Sequence, residues 1–183
     1  MNEIEKKYFE AFLKVVKANP KITLFYKDEQ TSNYTDLYIE YTSSERDKTG
    51  GYIIFHITYT TPDGTKIFSP SLSLTSTSKT IDGYIPDFVI TNSYFEHHKF
   101  AIEIDGHQWH EKTKEQAISD RKKDRAYLNN LVIPIRFTGS DVFHDAKNCV
   151  LETLEVVGNL LSGYIVLNLS EPFYQIQEGK KNK

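Results

Sequence analysis

The 183-residue chain has one cysteine, one methionine and one tryptophan, and its 22 Lys and Arg fall short of its 25 Asp and Glu. The single cysteine, Cys149, excludes an internal disulfide and fits a reducing compartment. Within N-C-V-L-E-T-L it reads as a small buried apolar residue of a helix rather than a nucleophile. No apolar run approaches the roughly 18 residues of a membrane span, and the start M-N-E-I-E-K-K has no signal-peptide core. The expectation is a cytoplasmic protein without a membrane partner. The net charge of −3 argues against a uniformly basic surface of the kind that neutralises phosphates. No repeat or low-complexity segment suggests an extended array.

What is present is globular: 39% hydrophobic residues, with 12 Tyr and 11 Phe. The length fits one domain over 1–178, followed by a charged tail over 179–183. Asn2 to Lys17 has Ile4, Tyr8, Phe12, Val15 and Val16 at helical spacing, and Asn19-Pro20 ends that helix. Lys21 to Lys48 is polar and mixed, with a short strand expected over Leu37 to Tyr41 and a loop over Thr42 to Gly51. Gly51 to Thr61 alternates, and Pro62-Asp63-Gly64 turns it into a second arm over Thr65 to Leu74. Its His56 reads as a packed or surface strand residue. Ser69 to Thr80, rich in Ser and Thr, is expected to be a loop or ragged edge whose hydroxyls could reach phosphates.

The chemistry gathers after that. Tyr84 to Ile90 and Lys99 to Ile104 have the bias of strands, and Thr91 to His98 is short enough to join them as a hairpin. Antiparallel pairing then permits Asp87 to lie opposite Glu103, and period-two alternation puts Asp105 on the same face as Glu103. Carboxylates on a mostly apolar strand face are costly unless neutralised, and a divalent cation is the simplest neutraliser. Gly106-His107-Gln108-Trp109-His110 follows, then a helix from about Thr113 to Asn129 that opens on a Thr113/Gln116 capping pattern. Along it Ala117, Ile118, Arg121, Asp124, Arg125 and Leu128 form the face expected against the sheet. Lys112, Lys114, Arg121, Lys122, Lys123 and Arg125 make a local basic stretch, and Trp109 is a candidate to stack on a base unless it belongs to a core. Leu131 to Phe137 reads as a strand in which Pro134 hints at an edge or bulge. A last helix covers Asp141 to Leu161, ended by Gly158 or Gly163, and Tyr164 to Tyr174 is a candidate final strand.

Pro86-Asp87 with Glu103-x-Asp105 resembles the PD-(D/E)xK nuclease superfamily, Asp105 standing where the lysine usually is. The runs E-I-D-G-H-Q-W-H-E-K-T-K-E-Q, S-D-R-K-K-D-R-A-Y-L and I-P-I-R-F-T-G-S-D-V are similar to a bacterial endonuclease-like branch, itself similar to very-short-patch mismatch endonucleases. The resemblance covers about 81–156. It implies an α+β fold, with a mixed central sheet flanked by helices: a restriction-endonuclease-like α-β-β-β-α-β core with one additional N-terminal strand. It also implies DNA cleavage in repair, restriction or phage defence, with Mg²⁺ or Mn²⁺ held by Asp87, Glu103 and the backbone carbonyl of Ile104. Asp105 is a candidate ligand of a second ion, and Glu5 matches a glutamate that the first helix of the superfamily often supplies. His110 matches the general base of the mismatch endonucleases, an imidazole suited to proton transfer near neutrality. Lys122 or Lys123, reaching back from the helix, is the alternative source of positive charge, and Arg125 is a candidate partner for Asp120 or Asp105. A zinc site of His107, His110 and Asp87 is a second possibility for the same residues, while His97 and His98 are expected on an exposed turn. The competing readings are a degenerate nuclease fold that binds nucleic acid or a protein without cutting, and a structural helper whose carboxylates are locked in ion pairs. RNA in place of DNA, a targeting protein and a homodimer are left open.

Overall fold

The computed structural model describes residues 1–18, 21–24, 35–46, 51–60, 66–69, 71–76, 79–92, 99–105 and 114–168. In chain order the elements are α1 (Glu3–Lys17), β1 (Lys21–Leu24), β2 (Thr35–Arg46), β3 (Gly51–Thr60), β4 (Lys66–Phe68), β5 (Leu72–Ser76), β6 (Phe88–Asn92), β7 (Lys99–Asp105), α2 (Lys114–Asn129), β8 (Val132–Thr138) and α3 (Gly139–Asn168). The eight strands form one sheet in the order β1-β2-β3-β5-β6-β7-β8, with β4 beside the far end of β3. Every pairing is antiparallel except β7 with β8, which run parallel and are joined by α2 as the crossover helix. The described residues form an α+β fold, with a mixed sheet and three helices among them, as expected. Among the described residues no helix is long and apolar enough to cross a membrane.

Alternation along the strands divides the sheet into two faces. Ile53, Phe55 and Ile57 of β3, Leu72 and Leu74 of β5, Phe88 and Ile90 of β6, Phe100, Ile102 and Ile104 of β7, and Ile135 and Phe137 of β8 all enter one core. Helices α1 and α3 complete it with Tyr8, Phe9, Phe12, Val150, Leu154 and Val157. Tyr8 stands against Phe12, Phe88 and Phe137, and its hydroxyl bonds Thr153 Oγ1 at 2.7 Å, joining the two helices inside the core. Each such fully buried side chain contributes roughly 1.5–3 kcal/mol relative to exposure. The second face belongs to α2: Tyr127 packs with Ala101 and Val132, and Ile81 and Tyr84 lie alongside.

The helix ends follow their side chains. Asn2 caps α1 and exchanges bonds with Glu5 in a capping box. Thr138 and Asp141 make a reciprocal cap at the start of α3, and that pairing holds the Asp141 carboxyl below its ordinary pKa. Asp145 then leaves helical geometry, with φ −147° and ψ 71°, and its Oδ1 accepts from Asn148 N–H, so the long second part of α3 has its own cap.

Several boundaries differ from expectation. The strand expected over Leu37 to Tyr41 runs from Thr35 to Arg46, displacing the start of the expected loop, and β1 is additional. The arm expected over Thr65 to Leu74 is two strands, β4 and β5, which pair with different parts of β3. Within the stretch expected as a loop or ragged edge, Leu72–Ser76 is β5, which lies between β3 and β6 because Leu72 and Leu74 alternate into the core. Gly158 and Gly163 do not end α3, which passes through both to Asn168. A glycine costs a helix about 1 kcal/mol, less than the burial of Val157 and Leu161 around it returns. The strand proposed over Tyr164 to Tyr174 is helical as far as Asn168, and the rest lies outside the described residues, as does the tail.

Candidate functional site

A tight turn delivers the first carboxylate. Asp82 and Gly83 both have positive φ, 50° and 82°, and Ile81 and Tyr84 exchange backbone hydrogen bonds across them. Glycine takes this conformation without strain. The chain then passes buried Pro86 and reaches Asp87, directly before β6. Phe88 faces Ile102 in the ladder, so continuing the register by one residue sets Asp87 opposite Glu103. Ile104 N–H donates to Asp87 Oδ2 at 2.7 Å, which ties the carboxylate to β7. The two acids therefore come together as the sequence predicts, on the α2 face.

Glu103 is 4% exposed. A buried carboxylate needs compensation, and α2 supplies it. Tyr127 O–H donates to Oε1 at 2.6 Å and Lys123 Nζ donates to Oε2 at 2.5 Å. Burial and the bond to Glu103 both push the Tyr127 hydroxyl above its usual pKa, so it remains a donor. One strand further out, Arg136 of β8 is the ladder partner of Glu103. Its Nε donates to Asp124 at 2.7 Å, and its Nη1 donates to Asp105 at 3.3 Å and lies 4.0 Å from Asp120. Burial opposes the guanidinium charge, but the bond to Asp124 and the nearby acids outweigh it and raise the Arg136 pKa.

Helical phase decides which basic residues reach the sheet. Lys123, Asp120, Asp124 and buried Tyr127 share the inner side of α2, whereas Arg121, Lys122 and Arg125 are exposed on the outer side. Lys123, expected as a nucleic-acid contact, is thus the lysine that reaches Glu103, and Lys122 is not. The face expected inward is also rotated: Ile118 is 45% and Leu128 54% exposed. Tyr127, the one large side chain that fits against Ala101 and Val132, sets the rotation instead. Arg136, not Arg125, pairs with Asp105 and Asp120. Asp105 shares the face of Glu103 as expected but leans toward Arg136.

Glu5 spends both carboxylate oxygens on the cap, at 2.9 and 2.5 Å from Asn2, and lies 3.8 Å from the terminal amine. It still acts on Asp87 through space. His97, His98, Gly106, His107, Trp109, His110 and Lys112 lie outside the described residues, so the zinc alternative and the general base do too. Lys114 opens α2. His56 Nδ1 is 3.2 Å from the carbonyl of Ser69 and Nε2 is 3.5 Å from Ser71 Oγ, the packed strand residue that was expected. Cys149 is buried, and burial pushes its thiol up to about 11, which removes it as a nucleophile.

Asp87 is the perturbed acid of the site. Burial raises its pKa to about 6, the Ile104 N–H opposes this, the charges of Glu103 and Glu5 add to it, and Lys123 offsets a part. The acid therefore protonates more readily in the folded than in the unfolded chain, whose value is 3.8. Its contribution to stability is full below pH 3.8 and is lost as pH rises through about 6. Asp87→Asn keeps an oxygen for Ile104 N–H. It is expected to unfold at higher urea than the parent at pH 8 without divalent ions, by about 1–2 kcal/mol after screening. The two proteins should converge near pH 4.

Among the described residues no three of His, Cys, Asp and Glu converge to hold a metal ion. Asp87 and Glu103 are two hard carboxylates, and Mg²⁺ is commonly bound by one or two carboxylates while keeping several waters. By chemistry the pair suits that ion, though both oxygens of Glu103 carry protein donors in this structure. No family model, curated protein or solved structure matches the chain.

Proposed function

We propose that the chain is a metal-dependent endonuclease with a restriction-endonuclease-like fold, hydrolysing phosphodiester bonds of DNA in the cytoplasm. The observation that carries this reading is the juxtaposition of Asp87, directly before β6, and Glu103 on the adjacent strand β7, beneath a lysine from the crossover helix. Phosphodiester hydrolysis needs stabilisation of developing negative charge, an activated water and a stabilised leaving oxygen. Bound Mg²⁺ or Mn²⁺ supplies Lewis acidity toward phosphate and a water of lowered pKa.

Asp87 and Glu103 hold the ion in this reading, with the Ile104 carbonyl as the third ligand that the resemblance implies. The Ile104 N–H fixes one oxygen of Asp87, and Tyr127 fixes one of Glu103, so both acids are oriented before anything binds. Lys123 supplies the positive charge beside Glu103 in the metal-free protein. His110 is the candidate base. Arg121, Lys122 and Arg125 present cations along the exposed side of α2, where a phosphate backbone can lie. Asp105, paired with Arg136, serves better to position the arginine that reaches Asp120 and Asp124 of α2 than to bind a second ion.

A binding module without catalysis is the second reading. It is favoured by one observation, the occupation of both Glu103 oxygens by protein donors. Supercoiled plasmid and single-stranded DNA incubated with the protein across Mg²⁺ and Mn²⁺, with EDTA as control, distinguish the two. Nicked or linear product that needs the metal is expected. Salt-sensitive binding with no product at any metal concentration would favour the module.

A further inference from the structure

We propose that Lys123 is the exchangeable counter-ion of Glu103: its ammonium holds the carboxylate until a divalent cation takes its place, while Tyr127 keeps its bond throughout. This rests on the reading of Asp87 and Glu103 as metal ligands. Both oxygens of Glu103 carry donors, Tyr127 O–H at 2.6 Å and Lys123 Nζ at 2.5 Å. An ammonium at that distance from Oε2 occupies the position from which a cation would approach, and the two positive charges repel. One donor has to yield.

The surroundings decide which. Tyr127 has no exposed surface; its ring packs with Ala101 and Val132 and meets Tyr84 edge-on, with centroids 6.4 Å apart. Moving it would open the smaller core. The Lys123 side chain is 20% exposed at the end of a flexible stem, so its ammonium can leave Glu103 for solvent without opening the core. Asp87 asks for no such exchange. Its Oδ2 is held by Ile104 N–H, and its other oxygen has no partner among the described residues. A cation entering between the acids thus meets Asp87 directly and Glu103 after the lysine has swung away. In the metal-free protein the lysine keeps Glu103 neutralised, so the fold does not depend on the ion.

Calorimetric titration of Mn²⁺ into the full chain tests this with the parent, Lys123→Met and Asp87→Asn, each checked for folding by circular dichroism. Lys123→Met removes the competing charge and is expected to bind Mn²⁺ at least about tenfold tighter, with a larger rise in thermal midpoint on saturation. Asp87→Asn is expected to bind more weakly. If the parent binds and Asp87→Asn weakens it, but Lys123→Met binds equally or more weakly, the exchange is wrong and the metal site stands. If neither the parent nor Lys123→Met binds Mn²⁺, the metal reading falls and the exchange with it. Should Lys123→Met not fold, the exchange is read in the parent by NMR of the Lys123 side chain during titration with Mg²⁺. Its ε-methylene signals should move to the positions of exposed lysines, and unchanged signals at saturation would overturn the proposal.

Discussion

Glu103→Gln is expected to lower metal-dependent cleavage of plasmid DNA by about 10²–10³-fold, and Asp87→Asn by a similar factor, while both proteins remain folded. Glutamine is the informative replacement. It keeps the volume of the buried side chain and an oxygen for the Tyr127 hydroxyl, so the packing against Ala101 and Val132 is undisturbed. What it removes is the negative charge, and with it the ligand strength toward a hard cation. Lys123 loses its anion at the same time and gains freedom. Glu152 and Glu155, exposed on α3 in the opposite layer, serve as controls whose replacement by Gln should leave the rate alone. Initial rates on supercoiled substrate, at one Mg²⁺ concentration and with matched circular dichroism, measure the effect. Parent-level rates in both site variants would relocate the active site.

Arg136→Met should cost about 2–4 kcal/mol of stability, read as a fall in urea midpoint at unchanged slope. Removing one partner of a buried ion pair leaves the other charge uncompensated, at about 3–5 kcal/mol, and the partial exposure of this cluster reduces that figure. One guanidinium here serves Asp105 on β7 and Asp120 and Asp124 on α2. Its loss leaves a group of like charges between the middle of α2 and the sheet. Adding Asp124→Asn to Arg136→Met should recover part of the loss, because the two effects share a contact. Arg136→Lys, a point charge without the planar fork, should fall between parent and Met. An unchanged midpoint in Arg136→Met would mean that groups other than the arginine compensate the three acids.

The acidic pair was legible because it depends on rules of short range. Two β-biased runs joined by a short connection imply an antiparallel ladder, and period two then fixes which side chains share a face. Asp87, Glu103 and Asp105 follow from that alone. The partners of those acids depend on how a helix is rotated. In α2 the charged residues far outnumber the apolar ones, so no stripe announces the inner face. Ile118 and Leu128 mislead, and the rotation is set by Tyr127 finding Ala101 and Val132 on distant parts of the chain. Lys123 goes inward with Tyr127 as a consequence. Arg136 was hidden for a related reason. Its partners come from parallel pairing of β8 with β7, a register that no hairpin turn specifies. The one hint lies in β8 itself, where Ile135 and Phe137 enter the main core and leave Arg136 on the other face. The full length of β2 was obscured by the polar residues of Thr35 to Arg46, and β5 by a serine-rich sequence whose two leucines carry its burial.

Pro134 bears on assembly. Among the described residues β8 is the last strand of the sheet order, and proline is the third of its seven residues. Proline has no N–H to offer a neighbouring strand, so a chain trying to extend the sheet there would lack a donor in mid-ladder. The border beside the catalytic candidates is thereby closed to edge-to-edge stacking, and with it to the simplest route to fibrous aggregation. A pair of protomers cutting both strands of a duplex would then meet through a surface other than β8.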